Sequence, residues 1–196
     1  MRDRIPPDAA PLATPVTLPN LITLARLIAV PALVLLLLEG AYGWAFAVFV
    51  AAGISDGIDG AIARTFPSQA SELGRYLDPI ADKALLVCIY ITLAVTGYVP
   101  RWLAVLVVSR DILIVGAVMV SLAIGRPVRI EPLLVSKANT AAQILFAAVA
   151  LADLAFHYRL APMTDVLIWV VAALTVVSAA AYLIGWIRHM GEPSRP

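Results

Sequence analysis

The sequence predicts an all-α protein, an integral membrane bundle of six transmembrane helices with the N and C termini cytoplasmic. Three observations carry that prediction. The chain is apolar for its 196 residues: 62% are hydrophobic and 14% charged, where a soluble globule has about 25% charged residues, and mean hydropathy is +0.93. The apolar residues come in blocks near the length of about 20 that a bilayer core requires of a helix. The cations are distributed unevenly between alternate loops, which fixes an orientation.

Met1–Pro19 holds five prolines and two arginines and reads as a cytoplasmic or interfacial segment. Residues 20–190 form one six-helix domain, and 191–196 are a short tail. Leu21–Leu38 is apolar apart from Thr23 and Arg26, too long for the core of a cleaved signal and without a small-residue cleavage site after it. Ala41–Ile54 runs on into an aspartate-rich stretch. Ala84–Val99, Trp102–Ile124, Ala141–Phe156 and Val166–Ile187 complete the set. With six spans, eleven Lys and Arg fall on one side and two, Arg101 and Arg159, on the other; Arg110 lies inside the fourth block. The crowded side is cytoplasmic by the positive-inside rule, and the aspartate stretch lies on it. Trp44, Trp102, Trp169 and Trp186 fall near span ends, as interfacial anchors do. Cys88 sits in an apolar run and reads as a packing residue; a single cysteine supports no disulfide framework.

The stretch Ser55–Lys83 places four aspartates in this apolar chain. Residues three, four and seven apart share a helix face. Asp56, Asp59, Gly60 and Ala63 keep that spacing, with Arg64 one step round, and Gly74, Asp78 and Asp82 recur at intervals of four. Each of two helices therefore carries a carboxylate pair on one face. The connector Thr65–Leu73 is short, which predicts antiparallel neighbours with the pairs facing each other. Ionisable groups near a bilayer are costly and generally functional. Hard carboxylate oxygens select Mg²⁺, Mn²⁺ or Ca²⁺, and two such ions form a clamp suited to displacement at phosphorus. Gly60 and Ala63 keep the face beside Asp56 and Asp59 clear for a bulky ligand. The plainer alternative is that the aspartates cap helices or pair with cations in a loop.

The pattern D-x-x-D-G-x-x-A-R, a short gap, then G-x-x-x-D-x-x-x-D resembles the signature of the CDP-alcohol phosphatidyltransferases, and Asp56, Asp59, Gly60, Ala63, Arg64, Gly74, Asp78 and Asp82 match it without departure. The resemblance implies transfer of a phosphatidyl group from CDP-diacylglycerol to an alcohol with release of CMP. It also implies two divalent metal ions, Mg²⁺ or Mn²⁺, held by Asp56, Asp59, Asp78 and Asp82, with Asp82 the general base for the acceptor hydroxyl. CDP-diacylglycerol then lies against Asp56, Gly60, Ala63, Arg64 and Gly74. A homodimer in the bacterial cytoplasmic membrane or the mitochondrial inner membrane, with its active site on the cytoplasmic or matrix side, is part of the same expectation.

Three further segments bear on the substrates. In "LPNLITLARL", Asn20, Thr23 and Arg26 are three apart and form a polar stripe at the start of the first span. It is either an interfacial anchor or a contact to the donor's phosphates, and "PNxxTxxR" resembles the phosphatidylglycerophosphate and cardiolipin synthase branches. In "SRDIL", Arg110 and Asp111 lie mid-block, so they either lock helix packing or let Arg110 hold the acceptor's phosphate. In "SKANTAAQ", Lys137 and Thr140 mark one flank of the fifth helix, and Asn139 and Gln143 another. They either bond neighbouring helices or, at Lys137 and Asn139, bind the acceptor. "SRD" with "SKxNTxxQ" resembles the CMP-forming, eukaryotic-type cardiolipin synthases, which use phosphatidylglycerol. Glycerol 3-phosphate is the alternative acceptor, and charge alone does not separate the two.

The sequence carries no glycine-rich phosphate loop, zinc pattern or nucleic-acid footprint, and His157 and His189 have no partner at metal-ligand spacing. A small transporter is the competing class. Its carboxylates would lie near the midplane at broken helices related by a repeat, whereas here they gather at helix ends and no repeat is visible.

Overall fold

The computed structural model describes residues 18–65, 72–124, 134–157 and 160–191. Within those helices the side chains of residues 18–23, 59–65, 72–82, 118, 122–123, 161, 189 and 191 lie outside the description. The described residues form six α-helices: α1 Leu18–Leu38, α2 Tyr42–Thr65, α3 Glu72–Val95, α4 Arg101–Ala123, α5 Leu134–Phe156 and α6 Ala161–Gly191. Packed pairs close a ring in the order α1, α2, α5, α6, α4, α3 and back to α1, and α3 also meets α5 across the middle. The core is aliphatic and aromatic, with Leu33, Leu37, Ile89, Tyr90, Leu103 and Phe146 fully enclosed.

The outside is apolar as well. Ile28 and Leu35 on α1, Trp44 and Ile54 on α2, Val95 on α3, Val105 and Val115 on α4, Leu145 on α5 and Val166 and Trp169 on α6 are all exposed. A soluble monomer rarely presents so continuous an apolar surface. Among the described residues, Arg101–Ser121, Leu134–Phe156 and Pro162–Arg188 are long and apolar enough to cross a membrane; Leu24–Leu38, Tyr42–Ile58 and Lys83–Val95 are shorter apolar stretches. The protein is a helical membrane protein. Its polar side chains Arg26, Arg110, Asn139, Gln143, Thr175 and Ser178 are turned inward, where they escape hydrocarbon.

At one end the helices are joined by tight turns. Gly40 has φ +75° and Gly97 φ +81°, a region that glycine adopts without steric penalty. After α1, Ala41 donates to the Leu36 carbonyl and Gly40 to that of Leu37; after α3, Tyr98 donates to Leu93 and Gly97 to Ala94. Both turns are Schellman caps that satisfy the last carbonyls of their helices. Asp153 ties this end together, accepting from the Tyr98 hydroxyl and the Leu160 amide. Burial first, and then the Asp153 hydrogen bond and charge, push the Tyr98 hydroxyl well above the usual tyrosine range, so it stays a donor.

Several expectations are corrected. The fifth helix, Leu134–Phe156, takes in the Ser136–Gln143 segment expected at its start, and the sixth extends beyond the apolar block Val166–Ile187 at both ends. Polar residues interrupt the apolar pattern there without interrupting the helix, because Asn139 and Gln143 point into the bundle. α2 and α3 both lie against α1 and α5, and the expected facing of their aspartate pairs falls on side chains outside the described residues. Arg26 and Lys83, counted with the cytoplasmic loops, lie near the middle of α1 and α3, whereas Arg64, Arg75, Lys137 and Arg188 lie in the first or last four residues of their helices. Removing both leaves nine cations (11 − 2) against two, so the predicted orientation is unchanged. Residues 1–17 and 192–196 lie outside the described residues.

Candidate active site

The two aspartate pairs lie on unbroken helix. Asp56, Asp59, Gly60, Ala63 and Arg64 all belong to α2, and Gly74, Asp78 and Asp82 to α3. The i, i+3 and i, i+4 relations inferred from the sequence are therefore real backbone relations. Of these residues Asp56 has a described side chain; those of Asp59, Ala63, Arg64, Asp78 and Asp82 lie outside the described residues, as do those of Asn20 and Thr23 on α1. Among the described residues no group of three metal-ligating side chains occurs.

Asp56 is held from α1. Arg26 Nη1 donates to Asp56 Oδ1 at 2.9 Å, and the arginine side chain is 1% exposed while the aspartate is 50% exposed. A buried guanidinium thus fixes one oxygen of a carboxylate whose other face is open. Beside the pair, α1 and α2 leave a cavity of about 480 Å³ whose walls include Ala25, Ala29, Ala51, Ala52 and Ser55. Small residues on both helices make that space; Gly60 and Ala63, expected to clear the helix face for a bulky ligand, are not among its described lining residues, and their surroundings lie outside the described residues.

A second polar centre is assembled from four helices. Arg110 on α4 donates from Nη1 to Asp111 Oδ1 at 2.7 Å. Its Nη2 reaches Ser178 Oγ on α6 at 2.7 Å and Ser136 Oγ on α5 at 2.5 Å, and Nε reaches Ser178 Oγ at 3.3 Å. The guanidinium carbon stands 5.7 Å from the centre of the Tyr182 ring, within cation–π range. Lys83 Nζ on α3 meets both Asp111 oxygens at 2.7 Å. Asp111 is 11% exposed, Lys83 42%.

This centre bears directly on the two sequence readings of Arg110. The residue locks packing among α4, α5 and α6, and most of its donors are engaged by the protein. Lys83 is the accessible cation beside it, one residue after Asp82. Lys137 is exposed. Asn139 is fully buried, and its Oδ1 accepts from Thr175 at 3.0 Å. Among the described residues the Asn139 amide nitrogen and both polar atoms of the buried Gln143 side chain find no hydrogen-bond partner. Leaving a buried polar atom unbonded costs about 1–3 kcal/mol, so these amides mark a polar interior next to the Arg110 centre. Thr140 bonds back to the Ser136 carbonyl. Trp186, expected as an interfacial anchor, donates to Ser121 Oγ at 2.8 Å and ties α6 to α4.

Sequence reasoning passed over Ser178, Thr175 and Tyr182, took Ser136 only as part of the "SKxNTxxQ" string, and used Lys83 for topology alone. Serines and threonines scattered through apolar helices carry no periodic signal. The Lys83–Asp111 pair had one sequence cue, a cation in the turn after an aspartate pair and an unmatched carboxylate in a later span.

A family model described as CDP-alcohol phosphatidyltransferase matches residues 16–177. The chain is 35% identical over 183 residues to the CMP-forming cardiolipin synthase of Rattus norvegicus, covering 86% of this chain and 61% of the relative. For the human protein of the same name the identity is 33%, with the same coverage. It is 32% identical over 183 residues to a chloroplastic CDP-diacylglycerol–glycerol-3-phosphate 3-phosphatidyltransferase of rice, covering 84% of this chain and 55% of the relative. The chain thus spans about three-fifths of the length of these mammalian relatives.

Proposed function

The chain belongs to the CDP-alcohol phosphatidyltransferase family, and from this premise we propose that it transfers the phosphatidyl group of CDP-diacylglycerol to a hydroxyl of phosphatidylglycerol, giving cardiolipin and CMP. The observation that carries the acceptor is the likeness to the two mammalian cardiolipin synthases. A match covering 86% of the chain necessarily takes in α4 and α5, and so "SRD" and "SKxNTxxQ".

In this reading residues 20–190 are the catalytic domain, flanked by 1–19 and 191–196. Its six helices all span the membrane, with both termini and the active site on the cytoplasmic or matrix side of a bacterial or mitochondrial inner membrane. Two copies form a dimer. Asp56, Asp59, Asp78 and Asp82 hold two divalent cations, Mg²⁺ or Mn²⁺. The donor set fits such ions: it is all carboxylate, and Asp56 is half exposed and oriented by Arg26. When bound, the metals neutralise the pyrophosphate and stabilise the departing CMP.

The protein's own groups do the rest. Asn20 and Thr23 reach toward the donor's phosphates, Arg64 does so from α2, and Arg26, expected to join them, acts on that side through the Asp56 carboxylate it holds. Gly60, Ala63 and Gly74 let the nucleotide lie close to the helices. Asp82 takes the proton of the acceptor hydroxyl as its oxygen forms a bond to the phosphatidyl phosphorus and the bond from that phosphorus to the CMP oxygen breaks. Arg110, Lys137 and Asn139 serve the acceptor. The Asn139 amide N–H groups, without a partner among the described residues, support that role, and the engagement of Arg110 supports an electrostatic and positioning part for it rather than a full clasp.

The test offers purified protein labelled CDP-diacylglycerol with phosphatidylglycerol or with glycerol 3-phosphate and resolves the lipid products. Cardiolipin and CMP are expected, with turnover abolished by exhaustive chelation and restored by Mg²⁺ or Mn²⁺. Phosphatidylglycerophosphate from glycerol 3-phosphate, with no cardiolipin, selects the second reading, which the rice relative favours. Turnover that survives chelation removes the metal mechanism.

A further inference from the structure

Between α3 and α4 lies a cleft of about 430 Å³, headed by Lys83, Arg110 and Asp111 and otherwise walled by Val87, Ile112, Ile114, Val115 and Gly116. We propose that this cleft is the berth of the acceptor lipid, with its phosphodiester against Lys83 and an acyl chain along the α4 wall. The inference rests on the cardiolipin-forming reading above and adds a site and a residue to it.

Charge is the first argument. Lys83 and Arg110 contribute two positive charges and Asp111 one negative, and the three are joined by contacts of 2.7 Å. The head of the cleft therefore carries net charge +1 (two minus one), which complements a phosphodiester monoanion. A phosphate monoester dianion would remain half neutralised there. Arg110 is 4% exposed and its donors are committed to Ser136, Ser178 and Asp111. Lys83 is the one cation at this head with a substantially exposed side chain, at 42%. Its ammonium has three donors, and Asp111 occupies two directions.

The walls are the second argument. Past the charged head every lining side chain is aliphatic or absent. A small water-soluble phosphate needs polar walls to replace its hydration, whereas a lipid brings its own apolar part. Ile112 is 66% exposed and Val115 62% exposed, so the cleft opens sideways onto the lipid-facing surface, and an acceptor can enter without leaving the bilayer. Gly116 adds no side chain to that wall, and a Cβ built there meets no atom within 4 Å, so there is free space beside it. Location is the third argument. Lys83 follows Asp82 directly on α3, one step of about 100° round the helix, so a headgroup held at Lys83 stays within the same helical turn as the proposed base.

The experiment uses full-length protein in nanodiscs containing phosphatidylglycerol with a photoreactive acyl chain. Label is expected in the α4 peptide that spans Ile112–Gly116, competed by unlabelled phosphatidylglycerol and not by glycerol 3-phosphate. Gly116→Leu fills the cleft without touching a charge; it should remove most labelling and raise the apparent phosphatidylglycerol requirement about tenfold, with the CDP-diacylglycerol requirement within about twofold of wild type. Lys83→Met should raise the acceptor requirement by about tenfold as well, and Lys83→Arg should restore most of it. Label that maps elsewhere overturns the inference. So do variants in which donor and acceptor requirements move together, or neither moves; in both cases cardiolipin still forms and the function stands. If wild-type protein makes no cardiolipin, the function and the acceptor berth fall together.

Discussion

Two buried arginines, each beside an aspartate, organise opposite sides of the bundle, and they are used differently. Arg26 reaches from α1 to Asp56 on α2, and that carboxylate stays half open. Arg110 bonds the aspartate next to it in sequence, two serines on two other helices, and shares Asp111 with Lys83. Asp111 is closed, at 11% exposure. The first pair presents a carboxylate; the second consumes one. Burial of an arginine–aspartate pair therefore does not by itself identify a ligand site. The informative quantity is how much acceptor capacity the carboxylate has left: Asp56 keeps an open face, whereas Asp111 is spent joining α3 and α4 beside one partly exposed lysine.

The largest effect expected is on turnover. Asp56→Asn keeps a hydrogen bond to Arg26 and a half-exposed position, so the fold should survive, while metal binding and activity fall by about 10³-fold or more. Asp82→Asn should abolish transfer yet retain much of the donor affinity. Asp111→Asn should behave in the opposite way, lowering stability because Lys83 and Arg110 lose their shared anion. Parallel turnover and unfolding measurements on the three variants break the comparison if Asp56→Asn unfolds the protein, or if Asp111→Asn loses turnover with stability unchanged.

Next in size is the loss of Arg110. Removing one partner of a buried ion pair costs about 3–5 kcal/mol, and Arg110→Ala also deprives Ser136, Ser178 and Tyr182 of their cation. Unfolding in detergent and monodispersity should report that loss. Arg26→Ala should cost less in stability, since Asp56 regains water at its open face, and more in donor binding. Equal destabilisation by both variants removes the distinction.

The aspartate spacing was far more legible in the sequence than either the Arg26–Asp56 pair, 30 residues apart, or the second centre, for a physical reason. Asp56, Asp59, Asp78 and Asp82 belong to two helices, so helical periodicity alone sets their spacing, and the unbroken α2 and α3 preserve that backbone spacing, while the side chains of Asp59, Asp78 and Asp82 lie outside the described residues. The apolar blocks likewise forecast six helices, although α5 begins earlier than the block because Ser136 to Gln143 mixes inward polar residues with small ones. The second centre depends on pairings 26, 28 and 68 residues apart. No local spacing encodes those distances, and a serine in an apolar run gives no sign of what it faces. Lys83 looked like one more cytoplasmic cation because its partner lies on the next helix.

The smallest effect sharpens the comparison most, because it isolates a single bond type. Ser178 is fully buried on α6, and its Oγ accepts from Arg110 at Nη2 (2.7 Å) and Nε (3.3 Å). Ser178→Ala removes that oxygen and keeps the Cβ, so packing is nearly conserved while the guanidinium loses an acceptor in a site that water does not readily enter. Hydrogen bonds to charged groups are worth about 1.5–3 kcal/mol, and the loss in unfolding free energy should fall in that range. Acceptor and donor requirements should both hold within about twofold, since Lys83 and Asp56 are untouched. Ser136→Ala should cost no more, because Ser136 is only partly buried, near the start of α5. A Ser178→Ala protein as stable as wild type would mean that Asp111 and Tyr182 alone hold Arg110, and the contrast between a carboxylate that is presented and one that is consumed would then rest on Lys83 alone.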